Sequence, residues 1–267
     1  MNKKILSLII AVLLGISLCF NLAADQDKDW KLTKGIHFII YHKDLPDRFI
    51  LQTLEYAEDY YRDITYNLGF SRDKFWLDEN RAKIYIYKDS QDYVLATGMP
   101  EWSGGRAKWQ DKAIETFAWS SNFFNSLLPH ELAHIIFREF AGKGVNIPLW
   151  LDEGVAGFQE LVNRAKSKRI VKEALKNNTF IPLAELSKID IRTMDDKEKA
   201  ALFYAESLSA VEFLIKQFGT SRFYNFTQAL NKGKSLDDAL NDSYKEVEIR
   251  NLEDFNNRWI RFLKYYE

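Results

Sequence analysis

The sequence predicts an α+β fold: a small mixed sheet in the first part of the chain, a mainly helical region after it, and a cleft between the two. Three observations carry this reading. Strand-like apolar runs are confined to the first half, at 36–42 and 82–87. Two short runs led by a glycine pair, 104–109 and 113–118, read as a hairpin. From about Asn122 the apolar residues recur at helical spacing up to the C-terminus.

Each element has its own signal. Ile36-His37-Phe38-Ile39-Ile40-Tyr41-His42 is a strand candidate. Asp47 to Leu68 then carries Phe49, Leu51, Leu54, Ala57, Tyr61, Ile64 and Leu68 along one helical face and stops at Gly69. Ala82 to Tyr87 alternates as a second strand, and the hairpin from Gly104 to Ala118 follows. The helical part is predicted to comprise Ser126–Phe140, Leu151–Arg164, Ser167–Lys176, Asp196–Phe218, Ser221–Leu230, Ser235–Asp242 and Leu252–Tyr265. Gly142 and Gly219 sit where helix C-termini favour glycine. Residues 30–121 are therefore read as a sheet-bearing subdomain and 122–267 as a helical one, together forming one unit.

Composition limits the function classes. With 267 residues, 46% of them apolar and 28% charged, the chain can bury a sizeable core, which excludes disordered and low-complexity classes. The net charge is −1, and −3 without residues 1–24, which hold Lys3 and Lys4 and no acid. That balance argues against a nucleic-acid partner, which requires a basic face.

Residues 1–24 are kept apart from the fold. Lys3 and Lys4 precede an apolar run from Ile5 to Phe20, which is followed by small residues up to Ala24 and a polar stretch from Asp25. The pattern fits a cleaved secretory signal, an uncleaved membrane anchor, or lipid attachment at Cys19. All three place the body outside the cytoplasm, with membrane contact only through this segment. Cys19 is the single cysteine, so a body starting at Asp25 has no disulfide, no thiolate metal ligand and no cysteine nucleophile.

The chemistry concentrates at His130-Glu131-Leu132-Ala133-His134. Residues four apart share a helix face, so the two imidazoles converge on one point, and Pro129 is tolerated in the first helical turn. Neutral imidazole is a zinc ligand, and Glu131 lies beside the pair, placed to address a water rather than the metal. A catalytic zinc takes three protein ligands, so a third is required. Glu153, within Trp150-Leu151-Asp152-Glu153-Gly154-Val155-Ala156, follows His134 after eighteen intervening residues, and the glycines at 142 and 144 allow the second helix to fold back.

These motifs resemble the gluzincin clan, in particular the alanyl-aminopeptidase family and the smaller peptidase MA-like domains. The resemblance implies a thermolysin-like core binding one Zn2+ through His130, His134 and Glu153, with Glu131 as general base and a peptide or protein as substrate. Tyr204-Ala205-Glu206-Ser207, followed by Ala210 to Leu214 and by Phe218-Gly219, resembles the segment whose tyrosine supports the oxyanion in the aminopeptidases; by that resemblance Tyr204 is catalytic. Two positions depart from the pattern. Where the aminopeptidases carry Gly-Ala-Met-Glu-Asn, with an acid for the substrate amine, this chain has Gly98-Met99-Pro100-Glu101-Trp102, which favours an endopeptidase. Where thermolysin-like enzymes have an acid four residues after the third ligand, this chain has Gly157.

Gly104, Gly105, Arg106 and Ala107 are read as an edge strand that binds an extended substrate, with Trp102 and Trp109 as cleft walls. Tyr204 has a competing reading as a core residue. His37 and His42 are read as ordinary polar packing, and the run Lys166 to Arg169 as a solvated helix junction. The rival to an exported zinc peptidase is a catalytically idle zinc domain that binds peptides or proteins.

Overall fold

The computed structural model describes residues 30–70, 76–118, 122–142, 144–160 and 162–264. The apolar N-terminal segment and Cys19 lie outside these residues, as do Lys143 and the expected end of the last helix at Tyr265. Among the described residues no helix is long and apolar enough to cross a membrane.

Five strands form one mixed sheet: β1 Lys31–Lys34, β2 Phe38–His42, β3 Ala82–Tyr87, β4 Gly105–Lys108 and β5 Ala113–Phe117, in the order β1-β2-β3-β5-β4. β2, β3 and β5 run parallel, while β1 and β4 add to the two sides antiparallel. The expected strand at 36–42 is shorter at its start. Gly35 and Ile36 turn the chain, with the Gly35 N–H donating to Phe38 O at 2.8 Å, and the polar Lys31–Lys34 pairs back as an edge strand without an apolar pattern. The hairpin is as expected, with Ala107 opposite Ile114 and Arg106 opposite Glu115.

Ten α-helices accompany the sheet among the described residues: α1 Asp47–Asn67, α2 Ser90–Thr97, α3 Leu128–Ala141, α4 Leu149–Gln159, α5 Arg164–Asn177, α6 Leu183–Leu186, α7 Lys197–Phe218, α8 Thr220–Asn231, α9 Leu236–Tyr244 and α10 Leu252–Lys264. The amphipathic pattern found α1, α3, α4, α5, α7, α8, α9 and α10. It did not find the short α2 and α6, which have too few turns to show a period. On α1 the buried stripe is Phe49, Ile50, Thr53, Ala57, Tyr61 and Ile64, whereas Leu51 lies on the exposed side. Asp196 caps α7 by accepting from the N–H groups of Glu198 and Lys199, and Ser235 caps α9 through the N–H of Asp238.

Two boundaries differ in ways that shape the site. A π-helical turn, Phe123–Leu127, leads into α3, so the regular helix begins at Leu128 rather than Ser126. Helix α4 ends at Gln159, not Arg164, because Glu160 leaves the helix with extended torsions.

One core runs through both halves of the chain. The inner face of α3 buries Leu132, Ile136 and Phe137, and the sheet contributes Ile40, Ile84 and Ile114. Full burial of such a side chain contributes roughly 1.5–3 kcal/mol. Trp76, Trp150 and Trp259 are fully buried and belong to this core. Helix α4 lies so close to α7 that a Cβ at Gly154 would sit 2.3 Å from Ser207 O, so only glycine permits this approach. That contact sets the depth of the neighbouring Glu153.

Candidate active site

Helix α3 presents two faces. Leu132, Ile136 and Phe137 turn inward, while His130, Glu131 and His134 face the cleft, and Arg138, one turn further on, reaches Asp152. The Nε2 atoms of His130 and His134 lie 3.1 Å apart. Glu153, carried in by the fold-back of α4, places Oε2 3.4 Å from His130 Nε2 and 3.8 Å from His134 Nε2. One ligand atom from each of the three residues falls within 4.8 Å of the others, the arrangement required around a single ion. Two imidazoles and a carboxylate make the donor set of a catalytic zinc, with a fourth position left for water or substrate.

Each opposite ring nitrogen faces an acid. His130 Nδ1 is 2.7 Å from Glu160 Oε1, and the second oxygen of Glu160 accepts from Ser126 Oγ and Asn163 Nδ2. His134 Nδ1 lies 3.2 Å from Asp152 Oδ1, while the other Asp152 oxygen accepts from Arg138 at 2.8 and 3.0 Å. Such partners set the ring orientation and raise the basicity of a metal-ligating nitrogen. The sequence reading missed both. Asp152 stands next to Glu153 and was legible in principle. Glu160 was not, because the helix was expected to run through it and the acid was sought four residues after Glu153, where Gly157 packs beside Leu208 instead.

The charges fit a cation. Glu131, Asp152, Glu153 and Glu160 surround two imidazoles, and Arg138 supplies one fixed positive charge. Burial opposes a charge on either histidine, yet the carboxylates outweigh it and raise both pKa values, that of His130 strongly. Burial likewise opposes the charge on Glu153 and Glu160, and the imidazoles hold both below the usual range. Asp152 is brought to about 2 against its own burial by His134 and then Arg138. A bound cation takes the place of the protons these acids attract. Glu131 differs: its burial prevails over the two imidazoles and raises its pKa.

A cleft of about 740 Å³ opens over this centre. Its far wall is β4 at the sheet edge, and Gly104, Gly105, Arg106 and Ala107 all line it. Glu131 of α3 lines the cleft opposite Ala107 of the edge strand. Arg106 is pinned by Glu115 at 2.6 Å. The close approach at Gly105 is to β5, since a Cβ there would lie 3.1 Å from Glu115 O. Glu101, Trp102 and Trp109 also line the cleft; Trp102 is 85% exposed, and the Arg138 guanidinium lies 5.8 Å from the Trp109 ring centre.

Tyr204 lies in the cleft and not in the core. It is 43% exposed while its neighbour Phe203 is fully buried, and it lines the cleft together with His130, Glu131 and Glu153. Burial and then Glu153, Glu131 and Glu160 push its pKa up to about 12, so its hydroxyl remains a donor. The remaining histidines stand apart from this centre. His37 Nδ1 is 2.6 Å from Glu58 and its ring stacks on Tyr61, and His42 is buried in β2.

The model of the peptidase MA superfamily matches residues 77–265. The chain belongs to this superfamily. The match covers β3 to β5 and every helix from α2 onward, including the candidate metal ligands His130, His134 and Glu153. A search of curated proteins finds no match. Among solved structures, yeast LTA4 hydrolase in complex with bestatin is similar at 14% identity and a TM-score of 0.49, over 88% of this chain and 39% of that one. This member of the superfamily thus spans well under half the length of that structure.

Proposed function

We propose that this peptidase MA superfamily protein is a zinc-dependent peptidase that hydrolyses internal peptide bonds, acting outside the cytoplasm. The observation that supports it most is the convergence of His130, His134 and Glu153 on one point, with Glu131 beside them in an open cleft. Zinc held there would acidify a water for attack and polarise the scissile carbonyl.

The chain's own residues supply the rest. Glu131 accepts the proton of the attacking water and passes it to the leaving nitrogen, a role suited to its place beside the three ligands in the cleft. The Tyr204 hydroxyl donates to the oxygen that becomes negative as the carbonyl is attacked. The β4 edge aligns an extended peptide along the cleft, and Asp152 and Glu160 keep both imidazoles aimed. Glu101 faces the same cleft, but it is preceded by Pro100 and stands in a turn, so it lacks the strand setting of an amine-binding acid; this favours internal bonds. The extracytoplasmic setting rests on the sequence of residues 1–24 alone.

Glu131→Gln tests this reading. The amide nearly matches the shape of the acid but cannot take the proton. The variant should retain one zinc per chain and lose hydrolysis of a mixed peptide library. Full activity in a zinc-loaded variant would overturn the mechanism. An unmodified, zinc-loaded protein that binds peptides but cleaves none would establish the idle binding domain in its place.

A further inference from the structure

The run Lys166 to Arg169, read from the sequence as a helix junction, lies inside α5 Arg164–Asn177. Val171 and Ala174 turn inward from this helix and are buried. Lys168, Arg169, Lys172 and Lys176 recur at helical spacing on its outer side, about 12 Å from end to end along the axis. With Ala165 and Glu173 they line a shallow recess of about 330 Å³. Arg169, Lys172, Glu173 and Lys176 are exposed.

Four cations against one acid give this face a charge of +3, in a chain whose net charge is −1. Elsewhere on the surface cations pair with acids, as Lys188 does with Glu185, Arg222 with Glu246 and Lys234 with Asp242. Among the described residues no ion pair engages Arg169, Lys172 or Lys176. Like charges four residues apart on a helix repel, so the cluster costs the free protein some stability that a bound anion would return.

We propose that this outer face of α5 docks the protein onto a membrane surface rich in anionic phospholipids. Clustered lysines and arginines on an exposed helix are drawn to a negatively charged bilayer surface, and each one close to that surface adds to the attraction. The shape of the site favours a bilayer over a peptide. The recess offers no apolar side chain larger than Ala165, so it has nothing with which to read the side chains of a peptide, whereas headgroup phosphates require only a spread of accessible cations. The reading of residues 1–24 as an export or anchor segment brings the protein to a membrane in the first place. The docking face is separate from the metal centre, and the proposal stands or falls independently of the peptidase reading.

The test uses the zinc-loaded protein from Asp25 to Glu267, which keeps the whole core of the described residues, Phe38 to Leu263. Co-sedimentation compares vesicles of phosphatidylcholine alone with vesicles of equal parts phosphatidylcholine and phosphatidylglycerol. Binding to the anionic vesicles should be at least about tenfold stronger, and should weaken as salt rises from about 0.05 M to about 0.5 M. Lys172→Glu with Lys176→Glu should lower it roughly tenfold or more. Both positions are exposed, so zinc content and melting temperature should hold, and Lys172→Arg with Lys176→Arg should keep the binding. Lys34→Glu with Lys232→Glu changes the net charge equally on other exposed positions and should leave binding almost intact. Equal affinity for both kinds of vesicle, no binding to either, unchanged binding in the α5 glutamate pair, or an equal loss in the control pair would overturn the proposal. Binding of soluble polyglutamate as tight as that of the anionic vesicles would overturn it too, and would make an acidic polypeptide the occupant of this face.

Discussion

Removing the Glu160 carboxylate should loosen the hold on zinc without unfolding the protein. Glu160 is almost fully buried, with one oxygen 2.7 Å from His130 Nδ1 and the other accepting from Ser126 and Asn163. Glu160→Ala deprives three groups of their acceptor at once. A buried donor left unpaired costs roughly 1–3 kcal/mol, although water entering from the adjacent cleft offsets part of this. The share that reaches the metal passes through His130, because an imidazole no longer held by an anion is a weaker and less ordered ligand. Losing such a partner typically lowers metal affinity by about 10–100-fold, or about 1.4–2.7 kcal/mol. His134 keeps Asp152, so affinity should fall rather than vanish. Glu160→Gln retains an acceptor for Nδ1 but loses the charge, and should fall between the two. Competition with a chromophoric chelator gives the zinc affinity, and urea unfolding of the apo and loaded forms gives the stability. Unchanged zinc affinity, with equal loss of stability in both forms, would refute the argument and leave Glu160 a purely structural residue.

Three other outcomes are expected. Tyr204→Phe deletes only a hydroxyl at the cleft wall; kcat should fall about a hundredfold, corresponding to roughly 2–4 kcal/mol, with KM little changed, and an early melt at a normal rate would remove Tyr204 from the mechanism. Stripping zinc, or Glu153→Ala, should lower the melting temperature by several degrees, because a ligand that joins α3 and α4 only in the folded state stabilises it; an unmoved calorimetric transition after confirmed metal loss would contradict this. Glu206 is fully buried on α7 with one unpartnered oxygen, and burial raises its pKa from 4.5 to about 8. Between those values the unfolded chain releases a proton that the folded chain keeps, so stability is greatest below the lower value and declines as pH rises through the higher one. Glu206→Gln should flatten that decline in urea titrations at pH 6 and pH 8, and identical slopes in both proteins would show that Glu206 is not its source.

The α+β order, the hairpin and most of the helices were legible because each rests on local periodicity. The stripe on α1 and the Asp196 cap of α7 are consequences of neighbours in sequence. The metal-centre residues were legible for a related reason. Four residues along a helix make one face, so His130 and His134 converge in any helix that carries them. What failed were short or purely tertiary features: β1, which pairs without an apolar pattern, and α2 and α6, which are too brief to show a period.

Where α4 ends shows the limit most directly. Propensity would carry the helix to Arg164, yet the chain leaves it at Glu160, and the carboxylate of Glu160 holds His130. No spacing rule encodes that exchange, since it depends on α3 lying against α4 at a depth that Gly154 permits against α7. The same holds for Tyr204. Its place beside the buried stripe of α7 was readable, but whether it pointed inward or over the edge depended on the packing of α4 and α5 around it. The sequence by itself determined which side chains could bind a metal and which helix would carry them. The tertiary structure alone decided which acids aim those side chains and which way Tyr204 points. Those outcomes arise from contacts between segments far apart in the chain, where shape and desolvation compete and no local pattern records the result.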